Sequence, residues 1–282
     1  MLYLVGTPIG NLKDISKRAL EALEAADVIA CEDTRVTGLL LQALEITGKR
    51  LISYHEHNKA ASGEGIIKLL EEGLNVVQVS DAGMPAISDP GADLVKLAIE
   101  KGIEVSVIPG PSAVTAALAI SGLDTRYFHF EGFLPSEGGD RKKRIKALTD
   151  IHETIVMYEA PHRIRKLFDE LSEAGFGSCK ASVCRELTKK YEQAIRMTVD
   201  EMCDYYQKTE PKGEFCICLE PLPEKETGAS GMVEADKLIG MLCEKGMSTK
   251  DIASVVSELT GMNKKEAYNQ AMKLKDEKPN QE

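Results

Sequence analysis

Residues 76–91 read VVQVSDAGMPAISDPG: a β-type run, 76–80, passes directly into a stretch dense in Gly, Pro and Asp. Four other stretches repeat this grammar, LYLVGTPIGN at 2–11, VIACEDTR at 28–35, VSVIPGPS at 105–112 and IVMYEAPHR at 155–163. Open α/β sheets bind ligands beyond the carboxyl ends of their strands, so repeated strand-to-Gly/Pro junctions mark the rim of a site. Glycine at 83, 91 and 110 allows positive φ or close backbone approach, and proline at 85, 90, 109 and 111 stiffens the loops.

The runs at 2–5, 28–31, 51–54, 76–80 and 105–108 alternate with stretches of helical spacing at 15–25, 37–44, 63–72, 91–101 and 112–121. That order predicts a largely parallel sheet with helices on both faces. A second set of closer runs, at 127–134, 154–158, 180–185, 192–198 and 215–219, with helices at 141–149, 161–174 and 199–207, predicts a mixed sheet. The expected organisation is therefore α/β, with an N-terminal domain at 1–117, a C-terminal α/β domain at 118–220 and a ligand cleft between them. A Pro/Glu/Lys/Gly/Ser stretch at 221–230 reads as a linker, and 231–282 as three short helices with a helix-turn-helix-like junction at Thr260-Gly261-Met262-Asn263. Frayed chain is expected over 276–282.

Composition narrows the function. The chain has 282 residues, 43% of them hydrophobic, and no apolar run near the roughly 20 residues that span a bilayer. A soluble, cytoplasmic protein with no membrane partner is expected. Seven cysteines at irregular spacing lack the paired CxxC pattern of a structural zinc site and read as reduced thiols; Cys216 and Cys218, alternating on one strand face, read as small core residues. No metal is expected.

A net charge of −10 argues against a nonspecific nucleic-acid coat. The charge is uneven, however: residues 141–196 hold 13 Lys/Arg against 8 Asp/Glu. Its core is Arg141, Lys142, Lys143 and Arg144, followed by Lys146, Arg163, Arg165, Lys166, Arg185, Lys189 and Lys190. A solvated helix face and an RNA contact both fit such a run.

The loop at 6–11, GTPIGN, lacks the third glycine of a dinucleotide fingerprint and puts Pro8 where a helix-opening amide should meet pyrophosphate. There is no GxxxxGK[ST] either, which removes the P-loop class. A Pro/Gly rim without a phosphate cradle suits a ligand that carries adenosine and a sulfonium but no phosphate.

The motifs GTPIGN, CEDTR, YHEHN, SDAGMPAISDPG, PGPSAVTAA, EGFLP, YEAPHR and GEF follow one another between residues 2 and about 220. In this order they resemble the tetrapyrrole-methylase superfamily, the class III S-adenosylmethionine-dependent methyltransferases, and most of all its branch acting on ribosomal RNA. The resemblance implies two α/β domains with S-adenosylmethionine between them, and commonly a homodimer. It implies methyl transfer to the ribose 2'-hydroxyl of a cytidine in the decoding centre of 16S ribosomal RNA within the small subunit. Carried over by motif, the cofactor contacts are Pro8, Ile9, Asp81, Ala82, Gly83, Met84, Ser112, Ala113, Met157 and Tyr158, with Gly213 and Glu214 as further candidates and Asp81 as the expected polar anchor. RNA contacts are expected at Arg141, Lys142, Lys143, Arg144 and Arg163.

A ribose hydroxyl is a weak nucleophile, so a proton acceptor beside it would help. Glu32 and Asp33 in CEDTR, with Arg35, are the catalytic candidates; His55, Glu56 and Glu159 also qualify. An ion pair bracing the loop is the alternative for Glu32, Asp33 and Arg35. His55 and His57, if on a strand, would share one face. Two other functions stay open, a tetrapyrrole methyltransferase of the precorrin or uroporphyrinogen type and a noncatalytic RNA-binding assembly protein.

Overall fold

The structure is a computed structural model that describes residues 1–89, 91–223 and 227–276, with the side chains of 227–234 and 276 excepted. Pro90, residues 224–226 of the expected linker, and 277–282 of the expected frayed end lie outside the described residues. The chain divides into two compact units, Met1–Leu222 and Pro223–Glu282.

In the first unit the chain runs β1 (Leu2–Val5), α1 (Lys17–Ala25), β2 (Val28–Cys31), α2 (Thr34–Ala43), β3 (Arg50–Ser53), α3 (Lys59–Glu71), β4 (Val76–Val79), α4 (Gly91–Glu100) and β5 (Val105–Ile108). These strands form a parallel sheet in the order β3-β2-β4-β1-β5. Because every strand points the same way, the loops after β1, β2, β4 and β5 emerge at one edge. Period-2 alternation divides the core. On β2, Ile29 and Cys31 pack with Leu23 and Leu41 of α1 and α2, whereas Val28 and Ala30 pack with Ile66 and Leu94 of α3 and α4. Strands covered on both faces need no polar alternation, and both β2 and β4 are buried throughout.

The chain continues through α5 (Ala113–Ser121), β6 (Phe128–Phe133), α6 (Gly138–Leu148), β7 (Thr154–Glu159), α7 (Ile164–Leu171), β8 (Lys180–Arg185), β9 (Gln193–Thr198), α8 (Val199–Lys208) and β10 (Phe215–Leu219). The second sheet is mixed, in the order β6-β7-β10-β8-β9, with β6 and β7 parallel and the other pairs antiparallel. Its larger core holds Met157, Ile217 and Val183 against Leu148, Phe168 and Met202. On the opposite face Val156, Cys184, Cys216 and Cys218 pack on Val114, Ala117 and Leu118. Helix α5 therefore belongs to the second sheet, and a domain boundary at 117/118 would cut through it.

The second unit comprises α9 (Thr227–Glu244), α10 (Thr249–Thr260) and α11 (Lys264–Asp276). Ser248 caps α10 by accepting the Asp251 amide at 3.2 Å, and Gly261 closes it at φ 72°. Ile239, Ile252, Val256 and Ala267 make a small core of their own. Helix α9 starts at Thr227, inside the stretch 221–230 read as linker. Among the described residues no helix is long and apolar enough to cross a membrane.

Candidate active site

Three loops of the first sheet lock together at its carboxyl edge. The Thr7 amide donates to the Gly83 carbonyl at 2.9 Å, and the Gly83 amide donates back at 3.2 Å. The Gly6 amide donates to Ile108 O at 3.1 Å, and the Gly110 amide to Met84 Sδ at 3.2 Å. A Cβ on Gly6 would stand 2.6 Å from Gly110 Cα, so this crossing admits no side chain on either residue. Thus GTPIGN, SDAGMP and PGPS form one surface.

The loop after β4 carries backbone strain. Ala86 and Ser88 have φ of 68° and 59°, a region that non-glycine residues seldom occupy. Asp89 holds this shape through Oδ1, which accepts the Ala86 amide at 2.8 Å and the Gly91 amide at 2.7 Å. A Cβ on Gly132 would meet Ser88 Oγ at 2.7 Å, so the loop reaches β6 of the second sheet.

The facing wall comes from the second sheet. Tyr158 packs against Phe130 and Phe133, each with ring centroids 5.3 Å away, and burial pushes its hydroxyl up to about 12. Cys184 and Cys216 stand directly opposite in the β8–β10 register. Between the walls lies a cavity of about 470 Å³, lined by Ile9, Glu32, Asp81, Ala82, Gly83, Met84, Ile87, Ser112, Ala113, Tyr158, Leu187 and Glu214 among others.

Its sides are apolar and part of its lining is acidic. Burial raises the Glu32 carboxyl above its ordinary range, reinforced by the charges of Asp81 and Asp89. Burial also raises Asp81 and Asp89. Three carboxyls raised by burial, with no Lys or Arg among the described lining residues, make a site that stabilises an incoming positive charge.

Most motif-derived contacts meet here: Ile9, Asp81, Ala82, Gly83, Met84, Ser112, Ala113, Tyr158 and Glu214 line the cavity. Pro8 and Gly213 do not. Met157 is corrected as a side-chain contact, because strand alternation turns it, fully buried, into the core on the other face of the sheet.

The proton-acceptor candidates separate in the same way. Asp33 caps α2, accepting the Arg35 amide at 2.8 Å and the Arg35 guanidinium at 3.0 Å; these bonds hold its carboxyl at about 2, and neither residue lines the cavity. Its own amide donates to Asp81 Oδ1 at 3.0 Å, so this pair braces the loop. Glu159 is fully buried, between Arg141 at 3.3 Å and Arg163 at 2.6 Å, with Ala160 N donating at 2.9 Å. His55, Glu56 and His57 lie in a turn after β3, not on a strand; Asn58 Oδ1 accepts the His55 amide at 2.8 Å, and Glu56 pairs with Lys59 at 2.7 Å. Glu159 also lines the cavity but is tied up by the two arginines, whereas Glu32 lines it with its carboxyl raised by burial.

The basic face is smaller than its charge count. Arg141, 1% exposed, is corrected from an RNA contact to a buried anchor: its guanidinium donates to Glu170 at 2.7 Å, to Pro135 O at 2.9 Å and to Glu159 at 3.3 Å. Arg163 turns inward to Glu159, and Arg144 grips Glu131, Nε to Oε1 at 2.7 Å. Lys142, Lys143 and Lys146 remain exposed along α6.

Sequence reading missed Ile87, Ser88, Asp89, Phe133, Cys184, Leu187 and Cys216. Asp89 had a signal, an Asp before Pro-Gly that offers an oxygen to turn amides. Cys216 had none: it meets Tyr158 only through the pairing of β10 with β7.

Comparison with known proteins shows the family. The family described as Tetrapyrrole (Corrin/Porphyrin) Methylases matches residues 1–203, and one described as the RsmI C-terminal HTH domain matches residues 230–275. The chain belongs to the tetrapyrrole methylase family and is a methyltransferase. It is 43% identical over 276 residues to "Ribosomal RNA small subunit methyltransferase I" of Mesorhizobium japonicum, covering 98% of this chain and 92% of that one. The Bacillus subtilis protein of the same name is 40% identical over 272 residues, covering 95% and 92%. Among solved structures, a cobalt precorrin-4 methyltransferase is similar with a TM-score of 0.61 and 21% identity, over 78% of this chain and 94% of that one. A Thermus thermophilus uroporphyrin-III C-methyltransferase, solved with S-adenosylhomocysteine, gives 0.57 and 19%, over 78% and 96%. At these identities the structures speak for the fold.

Proposed function

We propose that this protein transfers a methyl group from S-adenosylmethionine to the ribose 2'-hydroxyl of a cytidine in 16S ribosomal RNA, acting on the small subunit. The observation that carries the donor is the cavity itself, with apolar sides at Ile9, Met84, Tyr158 and Leu187 beside the carboxylates of Glu32, Asp81 and Asp89. That combination matches a molecule with a flat ring at one end and an ammonium and a sulfonium at the other. The names of the relatives support the acceptor. Exposed Lys142, Lys143 and Lys146 offer phosphate contacts, and a homodimer is part of the same proposal.

S-adenosylmethionine supplies a methyl group already joined to a good leaving group. The residues supply placement and proton transfer. The interlocked loops at Thr7–Gly83 and Gly6–Gly110 fix the donor side before binding, which lowers the entropy lost on complex formation. Glu32, with its proton affinity raised above that of an ordinary carboxylate, accepts the proton that the 2'-hydroxyl gives up. Asp81, held by the Asp33 amide, faces the donor's cationic end.

Calorimetric titration with S-adenosylhomocysteine tests the donor site. Wild type should bind at micromolar concentration or tighter, and Asp81→Ala should weaken binding about tenfold, the loss of one charge-assisted contact. Unchanged affinity in that variant removes Asp81 from the site. Transfer of labelled methyl to a porphyrinoid acceptor instead of ribosomal subunits would discard the RNA substrate and keep the fold.

A further inference from the structure

The stretch 185–190, RELTKK, reads as part of the basic face, yet Lys189 is not free for RNA. Its ammonium lies 3.3 Å from Glu186 Oε1 and 3.2 Å from Glu214 Oε2. Its stem crosses Gly10: a Cβ there would stand 2.5 Å from Lys189 Cγ and 3.0 Å from the Leu187 carbonyl oxygen. The second glycine of GTPIGN, which no phosphate-loop reading accounts for, is required by this lysine.

The loop beneath is strained. Glu186 and Thr188 have φ of 51° and 63° without being glycine. Glu186 is tied to the next loop, donating its amide to Glu214 O at 3.2 Å and accepting the Glu214 amide at 3.3 Å. A Cβ on Gly213, itself at φ 91°, would stand 2.5 Å from Glu186 Oε1. The Thr188 amide donates to Glu192 at 2.7 Å. Strain held by this many contacts has one visible product: Leu187 is carried into the cavity wall, in the same apolar cluster as Ile9. Although burial disfavours its charge, Glu214 and Glu186 keep the Lys189 ammonium more basic than an ordinary lysine.

We propose that Lys189 is a positioning residue for the methyl donor, a latch that joins the first loop, the strained 186–188 loop and the 213–214 loop so that Ile9 and Leu187 form one wall. This rests on the donor reading above. Lys189 touches no reacting atom, so its loss should change donor affinity and spare the chemical step.

The test uses the full chain and S-adenosylhomocysteine. Lys189→Met should bind about tenfold more weakly by calorimetry, about 1.4 kcal/mol. The donor KM should rise by a similar factor, with kcat on small subunits at saturating donor within about twofold. Lys189→Arg should restore most of the affinity, since its fork can span both carboxylates. Gly10→Ala, which displaces the lysine stem, should reproduce the loss. The pair is partly solvated, so the melting temperature should barely move. Should Lys189→Met fail to fold, Glu186→Gln removes a partner that lies outside the cavity lining and should give a smaller loss of the same kind. Wild-type binding with no loss in these variants overturns the latch alone, as does a kcat defect at unchanged affinity. Absence of binding by wild type overturns the donor reading and the latch with it.

Discussion

Replacing Arg141 by Met should destabilise the protein without touching a surface that RNA can reach. The guanidinium is 1% exposed and makes three hydrogen bonds, to Glu170, Pro135 O and Glu159. Its loss leaves the Glu159 carboxylate, 0% exposed, with Arg163 at 2.6 Å as the remaining cation. Breaking a buried pair from one side costs about 3 to 5 kcal/mol, because the partner charge stays desolvated. Arg163 retains part of the compensation, which places the expected loss near 3 kcal/mol. For a unit of this size that lowers the melting temperature by about 6 to 12 °C. Circular dichroism melts of wild type, Arg141→Met, Glu159→Gln and the double variant test this. The double variant should lose about 1 to 2 kcal/mol less than the two single losses combined, since the orphaned charge is then absent. Lys142→Glu and Lys143→Glu, on the exposed side of α6, should stay within about 0.5 kcal/mol of wild type. A melt of Arg141→Met within 1 °C or so of wild type, together with weakened RNA binding, would refute the buried-anchor reasoning and return Arg141 to the surface.

Two other perturbations separate chemistry from docking. Glu32→Gln should lower methyl transfer about 10²-fold or more at neutral pH while raising stability there. The sign follows from the raised pKa: such a carboxyl favours the folded state while protonated, and wild type loses that contribution as pH rises through its folded pKa. The stability gain of E32Q should therefore vanish in acid, and a variant less stable than wild type at pH 8 contradicts it. Replacing Lys142, Lys143 and Lys146 together by Glu should lower turnover on small subunits, leave S-adenosylhomocysteine affinity unchanged and reduce the salt dependence of RNA binding by about two to three in log–log slope. An unaltered slope returns α6 to an ordinary solvated face.

The parallel sheet was legible because four of its five strands, β3 excepted, are apolar runs closed by Gly, Pro or an acidic cap. The fate of Arg141 was legible too. It stands with Ile145 and Leu148 at helical spacing, the three buried positions of α6, but a count of charges along the chain does not distinguish inward from outward. Met157 and Tyr158 follow the same logic on a strand, where neighbours face opposite sides. CEDTR suggested chemistry throughout, although Asp-Thr-Arg is equally a cap followed by a first turn, and the structure splits the motif between a cavity carboxylate and a brace. The helix at 112–121 could not be assigned to a sheet from its own pattern, because its small apolar residues pack on strands far ahead in the chain. Least legible was the 186–188 loop, where non-glycine residues in left-handed conformation leave no mark in composition and depend on Glu214, brought in from the next loop, and on Glu192.

The most direct test is methyl transfer from labelled S-adenosylmethionine to purified small ribosomal subunits, with the product mapped by resistance to alkaline hydrolysis. A methylated ribose cannot cyclise, so the account predicts one resistant linkage, at a cytidine, that is lost with Glu32→Gln. Label on a base, with every linkage still cleaved, would contradict it.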